Sequence, residues 1–554
     1  MRRRQVPKLS ARFVVSTMPN GGGKQPQLIR AMLEPGFYPH APLSVELRYT
    51  HISWVFLAGD LVYKVKKPVV FPFLDYGTIE RRHEMCREEV RLNRRLAPDL
   101  YLGVVAIAGS GDAYLLTSED HAGAIEFAVE MRRVEEDRSL AALAARGELE
   151  PTHIAAVARR LARFHAETPI APPDRRGVET LEATLEENLV TLREAGAGVL
   201  DERRLISAER FTRNFIAARR RELDARSRGG QVRDCHGDLR AEHVIVPAQR
   251  PVYVYDCVEF NPELRQIDVA ADISFLVMDL TRLGAEGSAV QLIDAYRRAD
   301  GDPGDDALLS FFASYRAWVR AKIACLRALE LAAEDHERSQ QQQAEALELL
   351  RLGHRFAWRA RGPLLLVVCG VAGTGKSTLA RKLADLSGWA HISSDVTRKR
   401  LAGLSPAEHG REALYGHGHT MRTYRRMGRA ARPELEGRGG VIADATFHRL
   451  EERAAFRAGL GDPPTRIVFV ECRASPAALL ARARERELMP DRVSDADAAV
   501  VQRQLAESEP LGEVPARERM ELGTEAPPDE LVAEVEEFID HSIWGTSPSA
   551  AERM

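Results

Sequence analysis

Residues 370–377 read Gly-Val-Ala-Gly-Thr-Gly-Lys-Ser, a full match to GxxxxGK[ST]. Chemistry asks for these types at this spacing. Glycines let backbone N–H groups turn inward around phosphate oxygens, and a helix N-terminus adds positive potential. Lys376 can reach the outer phosphates, and the Ser377 hydroxyl can ligate Mg²⁺. Gly370, Gly373, Thr374, Gly375, Lys376, Ser377 and Thr378 are therefore the expected nucleotide-binding residues, with ATP and Mg²⁺ as cofactors.

Two carboxylates follow at strand-like ends. His391-Ile-Ser-Ser-Asp395-Val-Thr-Arg398 puts Asp395 where a hydroxyl proton could be accepted, and Arg398 where an anionic part of an acceptor could be held. An alternative keeps Ser394 or Asp395 as a helix N-cap. Val441-Ile-Ala-Asp444 is an apolar run ending in a carboxylate, suited to Mg²⁺ through water or to a plain turn. Arg482, Arg484 and Arg486 stand in a helical stretch, where one or two could close over a transferring phosphoryl group or simply face solvent.

A second constellation lies upstream. His236-Gly237-Asp238-Leu239 precedes a strand-like run, and Val252 to Asp256 is another that ends in a carboxylate. Two carboxylates 18 residues apart on adjacent loops suit a base plus a metal ligand in phosphoryl transfer. Lysine is scarce, nine residues against 69 arginines, and three of the nine are Lys64, Lys66 and Lys67.

The elements that must carry these groups divide the chain. Residues 1–35 read as a flexible arm, 36–131 as a small β-rich lobe and 132–355 as a helical lobe holding the His-Gly-Asp loop. In the first lobe, strand-like runs flank a turn at Ala58-Gly59-Asp60, a charged amphipathic helix includes Glu89, and 125–131 form a strand. Arg361-Gly362-Pro363 marks a boundary. Beyond it, strands at 364–369, 389–393, 440–444 and 466–471 alternate with helices, the pattern of a parallel α/β sheet over 362–545. Residues 546–554 read as a disordered tail.

Composition limits the remaining possibilities. With 45% hydrophobic and 29% charged residues the chain is ordinary globular material, long enough for several folding units. No stretch reaches the ~18 apolar residues needed to cross a bilayer, and no apolar run follows the basic start. Six scattered cysteines without a CxxC pair point to reduced thiols, and the expected compartment is cytoplasmic. A net charge of -3 argues against nucleic acid as the main partner. Between Arg398 and Arg438 ten Arg/Lys stand against four Glu, which favours an anionic small-molecule acceptor.

The 364–540 motifs GVAGTGKST, SSDVTR and VIADAT resemble the small P-loop kinases, including zeta-toxin-like, polynucleotide-kinase-like and chloramphenicol-phosphotransferase-like enzymes. That resemblance implies Asp395 as acceptor base, with Arg398 contacting the acceptor. Residues 40–340 resemble the aminoglycoside phosphotransferases and their kinase-like fold. It implies Asp238 as base, Asp256 as Mg²⁺ ligand, Lys64 (or Lys66) as the phosphate-holding lysine, Glu89 as its helix partner, and Met131 at the hinge meeting adenine. It also implies Asp268 and Asp272 as buttresses of the loop. The family's metal-binding Asn falls on His243, whose nitrogen is a poorer match for Mg²⁺. The Gly-rich loop is absent.

The expected fold class is thus α/β and α+β: a bilobal protein-kinase-like unit followed by a P-loop parallel α/β three-layer domain. The expected activity is transfer of the γ-phosphoryl of ATP to a small-molecule hydroxyl, catalysed by Asp395, Lys376, Arg398 and Arg486, with Ser377 and Asp444 holding Mg²⁺. The N-terminal unit would be a second kinase, through Asp238, or an accessory. Competing expectations are a nucleotide-gated binding protein with an N-terminal pseudokinase, and a nucleic-acid end kinase.

Overall fold

The computed structural model describes residues 27–71, 74–110, 113–405, 414, 416–463, 465–487 and 498–545. They fall into two compact units, 1–136 with 253–261, and 137–252 with 262–554.

The first unit is built on an antiparallel sheet. Helix α1 (Gln27–Ala31) precedes β1 (Val45–Tyr49), β2 (Ser53–Ala58) and β3 (Leu61–Lys66). The short β4 (Val70–Phe71) and β5 (Leu74–Asp75) lead to α2 (Ile79–Asn93), then β6 (Tyr101–Ser110), β7 (Ala113–Ser118) and β8 (Ala124–Arg132). The sheet order is β1-β2-β3-β8-β6-β7. Gly59, at φ 64, makes the tight β2–β3 turn expected from the sequence. The strand pair β6–β7 has no counterpart in the sequence-level reading. The expected loose arm needs correction over its last residues, because Ile29 and Met32 are buried in the core with Phe56, Tyr63 and Ile107.

The second unit begins with α3 (Leu140–Ala145), α4 (Pro151–Glu167), α5 (Val178–Ala195) and α6 (Glu202–Arg228). Short strands β9 (Val232–Asp234) and β10 (Val244–Ile245) enclose the His-Gly-Asp loop. Strand β11 (Tyr253–Val254) is counted with the first unit, and β12 (Gln266–Asp268) pairs antiparallel with β9. Four helices follow: α7 (Val269–Arg282), α8 (Glu286–Arg298), α9 (Asp306–Leu331) and α10 (His336–Ala360).

The chain then enters β13 (Leu364–Cys369), α11 (Lys376–Ser387), β14 (Ala390–Ser393), α12 (Ser394–Leu401), α13 (His417–Arg438), β15 (Gly440–Asp444), α14 (Leu450–Leu460) and β16 (Arg466–Arg473). It ends with α15 (Pro476–Glu487), α16 (Ala498–Glu507), β17 (Arg519–Gly523) and α17 (Pro528–Trp544). The five strands are parallel in the order β14-β15-β13-β16-β17. β13 is buried at every position, as a central parallel strand covered on both faces must be. One face is covered by α11 and α17 and the other by α13 and α14. The last strand, β17, was not foreseen.

Nor is Gly362 a clean boundary. Trp358 of α10 belongs to the P-loop core cluster and meets Trp389 edge-to-face at 5.2 Å. Arg361 is buried, bonded through Nε to Asp540 Oδ1 of α17 at 2.6 Å, with its guanidinium over Phe211 of α6. Ser207 of α6 donates to Glu536 of α17 at 2.6 Å. The helical segment and the P-loop segment of this unit therefore share a buried polar and aromatic interface.

Candidate functional site

Strand β13 delivers the chain into the phosphate loop. Gly370 has φ 133, and a Cβ there would lie 2.4 Å from the Cys472 carbonyl oxygen. Only glycine can make this approach to β16. Gly373 and Gly375 also have positive φ, and Gly375 caps α11, so Lys376 and Ser377 open the helix. The loop is braced from outside the cradle. Thr374 Oγ1 donates to Val371 O at 2.9 Å, the Gly370 N–H donates to Thr446 O at 3.1 Å, and the Thr524 hydroxyl donates to Thr374 O at 2.5 Å.

Register sets the carboxylates beside it. Val368 of β13 and Ser393 of β14 both pair with Asp444 of β15. Asp444 thus ends the strand next to β13, and Asp395 lies two residues past Ser393, in the first turn of α12. Asp444 is 1% exposed; His391 Nε2 lies 3.3 Å from its Oδ2, while its Oδ1 has no hydrogen-bond partner among the described residues. A buried carboxylate oxygen without a donor is costly, and a hydrated cation would satisfy it. Ser377 and Asp444 therefore fit Mg²⁺. Asp395 pairs with Arg398 at 3.2 Å. The N-cap of α12 is Ser393, without a side-chain capping bond, so the alternative of Ser394 or Asp395 as the cap does not hold.

Arg482 of α15 reaches Gly373 O at 3.4 Å and Thr524 O at 2.6 Å, so it grips the loop's backbone. The side chains of Arg484 and Arg486 lie outside the described residues.

In the first unit, β3 and α2 bring two lysines onto one carboxylate. Glu89 is fully buried, 2.9 Å from Lys64 Nζ and 2.7 Å from Lys66 Nζ. Lys64 also reaches Asp256 Oδ1 at 2.7 Å, and Lys66 reaches Glu259 Oε1 at 2.5 Å. Tyr76 donates to Glu259 at 2.6 Å. Burial alone would raise the Glu89 carboxyl, but the two ammonium groups outweigh it and hold it below its ordinary value. For both lysines burial is likewise outweighed, by Asp256, Glu89 and Glu259, and their values rise. Asp256 sits at φ 64, a left-handed conformation unusual outside glycine. Lys64 thus joins Glu89 to Asp256, and the partnership of Lys66 with Glu259 was missed. Met131, near the end of β8, is buried and pairs with Val62 and Tyr101.

In the second unit, Asp272 of α7 holds the His-Gly-Asp loop. It accepts the His236 and Gly237 N–H groups at 3.0 and 2.9 Å and lies 3.1 Å from His165. Burial would raise its carboxyl; bonding to His165 and the loop brings it well below the ordinary range. Asp268 does otherwise than expected. It caps α7 through the Ala270 N–H and pairs with Arg226, so it does not buttress the loop.

Asp238 itself is clamped. Arg240 Nε lies 3.0 and 3.1 Å from its two oxygens, and Arg240 Nη2 lies 2.9 Å from His243 Nε2. His243 Nδ1 is 2.9 Å from the Asp238 carbonyl oxygen and so carries the proton, which leaves Nε2 as the acceptor for Arg240. One guanidinium therefore occupies both groups that the resemblance assigned to base and metal. Burial of Asp238 is outweighed by the Arg240 guanidinium, and its carboxyl is lowered. The arginine was visible in HGDLR, but no spacing rule says that it folds back.

The sequence matches two family models: the phosphotransferase enzyme family over residues 76–311 and an AAA domain over 365–511. An uncharacterised protein of Mycobacterium tuberculosis (strain H37Rv) is 33% identical over 437 residues, spanning 78% of this chain and 84% of its own. One from Mycobacterium bovis matches to the same extent. The chain belongs to the family of these mycobacterial proteins. It joins a phosphotransferase-type domain, over 76–311, to a P-loop domain, over 365–511.

Among solved structures, a choline/ethanolamine kinase family protein from Mesorhizobium loti matches with TM-score 0.35 and 12% identity, over 59% of this chain and 95% of its own. A gluconokinase from Sinorhizobium meliloti matches with TM-score 0.25 and 22% identity, over 33% of this chain and 95% of its own. No helix among the described residues is long and apolar enough to cross a membrane.

Proposed function

We propose that the chain is an ATP-dependent kinase whose P-loop domain phosphorylates a hydroxyl of a small anionic molecule. The observation that supports this most is the level at which three strands end: the phosphate loop after β13, Asp444 at the end of β15 and Asp395 just past β14. That is the C-terminal edge of a parallel sheet, where ligands of such folds bind.

In this reading Asp395 accepts the proton of the acceptor hydroxyl. The hydroxyl oxygen forms a bond to the γ-phosphorus as the bond from that phosphorus to the β–γ bridging oxygen breaks, and ADP departs with the pair of electrons. Lys376 and the loop's N–H groups hold the phosphate oxygens in place. Arg398, paired with Asp395, orients that carboxylate and draws the acceptor's negative group. Mg²⁺, held by Ser377 and Asp444, would supply charge neutralisation at the phosphates.

The N-terminal domain acts in this reading as an accessory. Arg240 supports that role, because it neutralises Asp238 and fills the lone pair of His243. ADP release from Mg²⁺-ATP, stimulated by a panel of phosphorylated and carboxylated sugars and alcohols, tests both parts. Lys376→Ala and Asp395→Asn should abolish the stimulated release, Asp395→Asn without loss of ATP binding, while Asp238→Asn leaves it intact. Loss in Asp238→Asn alone would transfer the activity to the N-terminal domain. Nucleotide binding with no stimulation by any acceptor would favour a nucleotide-gated regulatory protein.

A further inference from the structure

Helix α16 is fastened to the phosphate loop by a polar bond. The Ala372 N–H donates to Gln504 Oε1 at 2.8 Å. Around that bond Val501 of α16, Leu479 of α15, Val371 and Ala372 form a small buried cluster, which fixes the helix against the loop's first half. Because an N–H can only donate, the amide of Gln504 must present its oxygen to the loop. Its Nε2, with two N–H donors, then lies one amide width from the loop backbone, and it donates to no described residue.

In the reading above, the first half of the loop is left for the outer phosphate. The N–H groups that open α11, near Lys376 and Ser377, serve the inner phosphates. Gly370, by contrast, is bonded to Thr446 O, two residues past Asp444.

We propose that Gln504 contacts the terminal phosphoryl group of a bound nucleoside triphosphate, with Oε1 anchored on Ala372 and Nε2 donating to a terminal phosphate oxygen. This rests on the reading that the loop holds a nucleoside triphosphate. Glutamine suits the task because one end accepts and the other donates. A carboxylate would keep the anchor and repel the phosphate, and an apolar side chain would lose both.

The test is a titration of the full chain with Mg²⁺-ADP and with a non-hydrolysable Mg²⁺-ATP analogue, in wild type, Gln504→Glu, Gln504→Ala and Lys376→Ala. The readout is the ratio of the two affinities, which cancels any change in the folded fraction. A hydrogen bond to a charged group predicts that Gln504→Glu weakens the triphosphate by roughly tenfold or more, with the diphosphate changed by less than about twofold. Gln504→Ala should move the ratio the same way by a smaller factor. Equal weakening of both nucleotides, or no change in either, would overturn the role of Gln504 while leaving the nucleotide site intact. If wild type binds neither nucleotide and Lys376→Ala is indistinguishable from it, the underlying reading and this proposal fall together.

Discussion

Replacing Asp540 by alanine should cost the second unit about 3–5 kcal/mol, because it strands a buried cation. Asp540 is fully buried and Arg361 is 3% exposed. The guanidinium bonds both carboxylate oxygens, at 2.6 and 3.1 Å, and aromatic rings flank it: Phe211 at 4.8 Å, Trp358 at 5.2 Å and Trp544 at 6.0 Å, with the Glu536 carboxylate a weaker, more distant charge. Water has little access to replace the lost partner. A surface ion pair would be worth well under that, about 0–1 kcal/mol, so the two cases are easy to separate. Four of the five tryptophans, at 318, 358, 389 and 544, lie in or beside this cluster, so intrinsic fluorescence during urea unfolding reports on it. The Asp540→Ala transition should move to markedly lower urea, and the double replacement Arg361→Met with Asp540→Leu should recover most of the loss. A single variant within about 1 kcal/mol of wild type would refute the reasoning, as would a double variant no better than the single one.

Three further outcomes follow from particular contacts. Gly370→Ala should abolish nucleotide binding and lower the melting temperature, since its Cβ would meet the Cys472 carbonyl at 2.4 Å in a backbone conformation closed to alanine; retained binding in a nucleotide titration would contradict it. His354 is buried, and burial with Arg204 and Arg361 nearby lowers its value from 6.5 to about 3. The folded state keeps it neutral while the unfolded chain protonates, so its contribution is present above pH 6.5 and is lost as pH falls toward 3, at about 1.4 kcal/mol per pH unit. His354→Phe should flatten the acid side of the stability profile, and an unchanged profile would sink the assignment. Glu89→Ala, which removes the shared partner of two buried lysines, should destabilise the first unit by at least about 3 kcal/mol, read by urea unfolding followed at Trp54; a loss under about 1 kcal/mol would mean that Asp256 and Glu259 suffice.

The sequence by itself determined which groups the strand ends carry. GxxxxGKS after an apolar run, SSDVTR and VIAD each place a polar group where an apolar strand stops, and strand ends are read from local periodicity. The same locality made the β2–β3 turn legible, whereas the pairing of Lys64 with Glu89 came only from the resemblance to the aminoglycoside phosphotransferases. What only the tertiary structure decided lies in contacts between residues far apart in the chain. The bond from Gln504 to Ala372 spans 132 residues and that from Arg361 to Asp540 spans 179, and neither leaves a periodic trace. Trp358, read as part of a helix before a linker, fills the P-loop core because the sheet's α11 face needs an apolar cover that its own helices leave incomplete. Arg240 shows the limit most plainly. Its position two residues after Asp238 was in view from the start, yet whether a flexible guanidinium faces solvent or folds onto the carboxylate depends on the walls around it, and those walls exist only once the chain is packed.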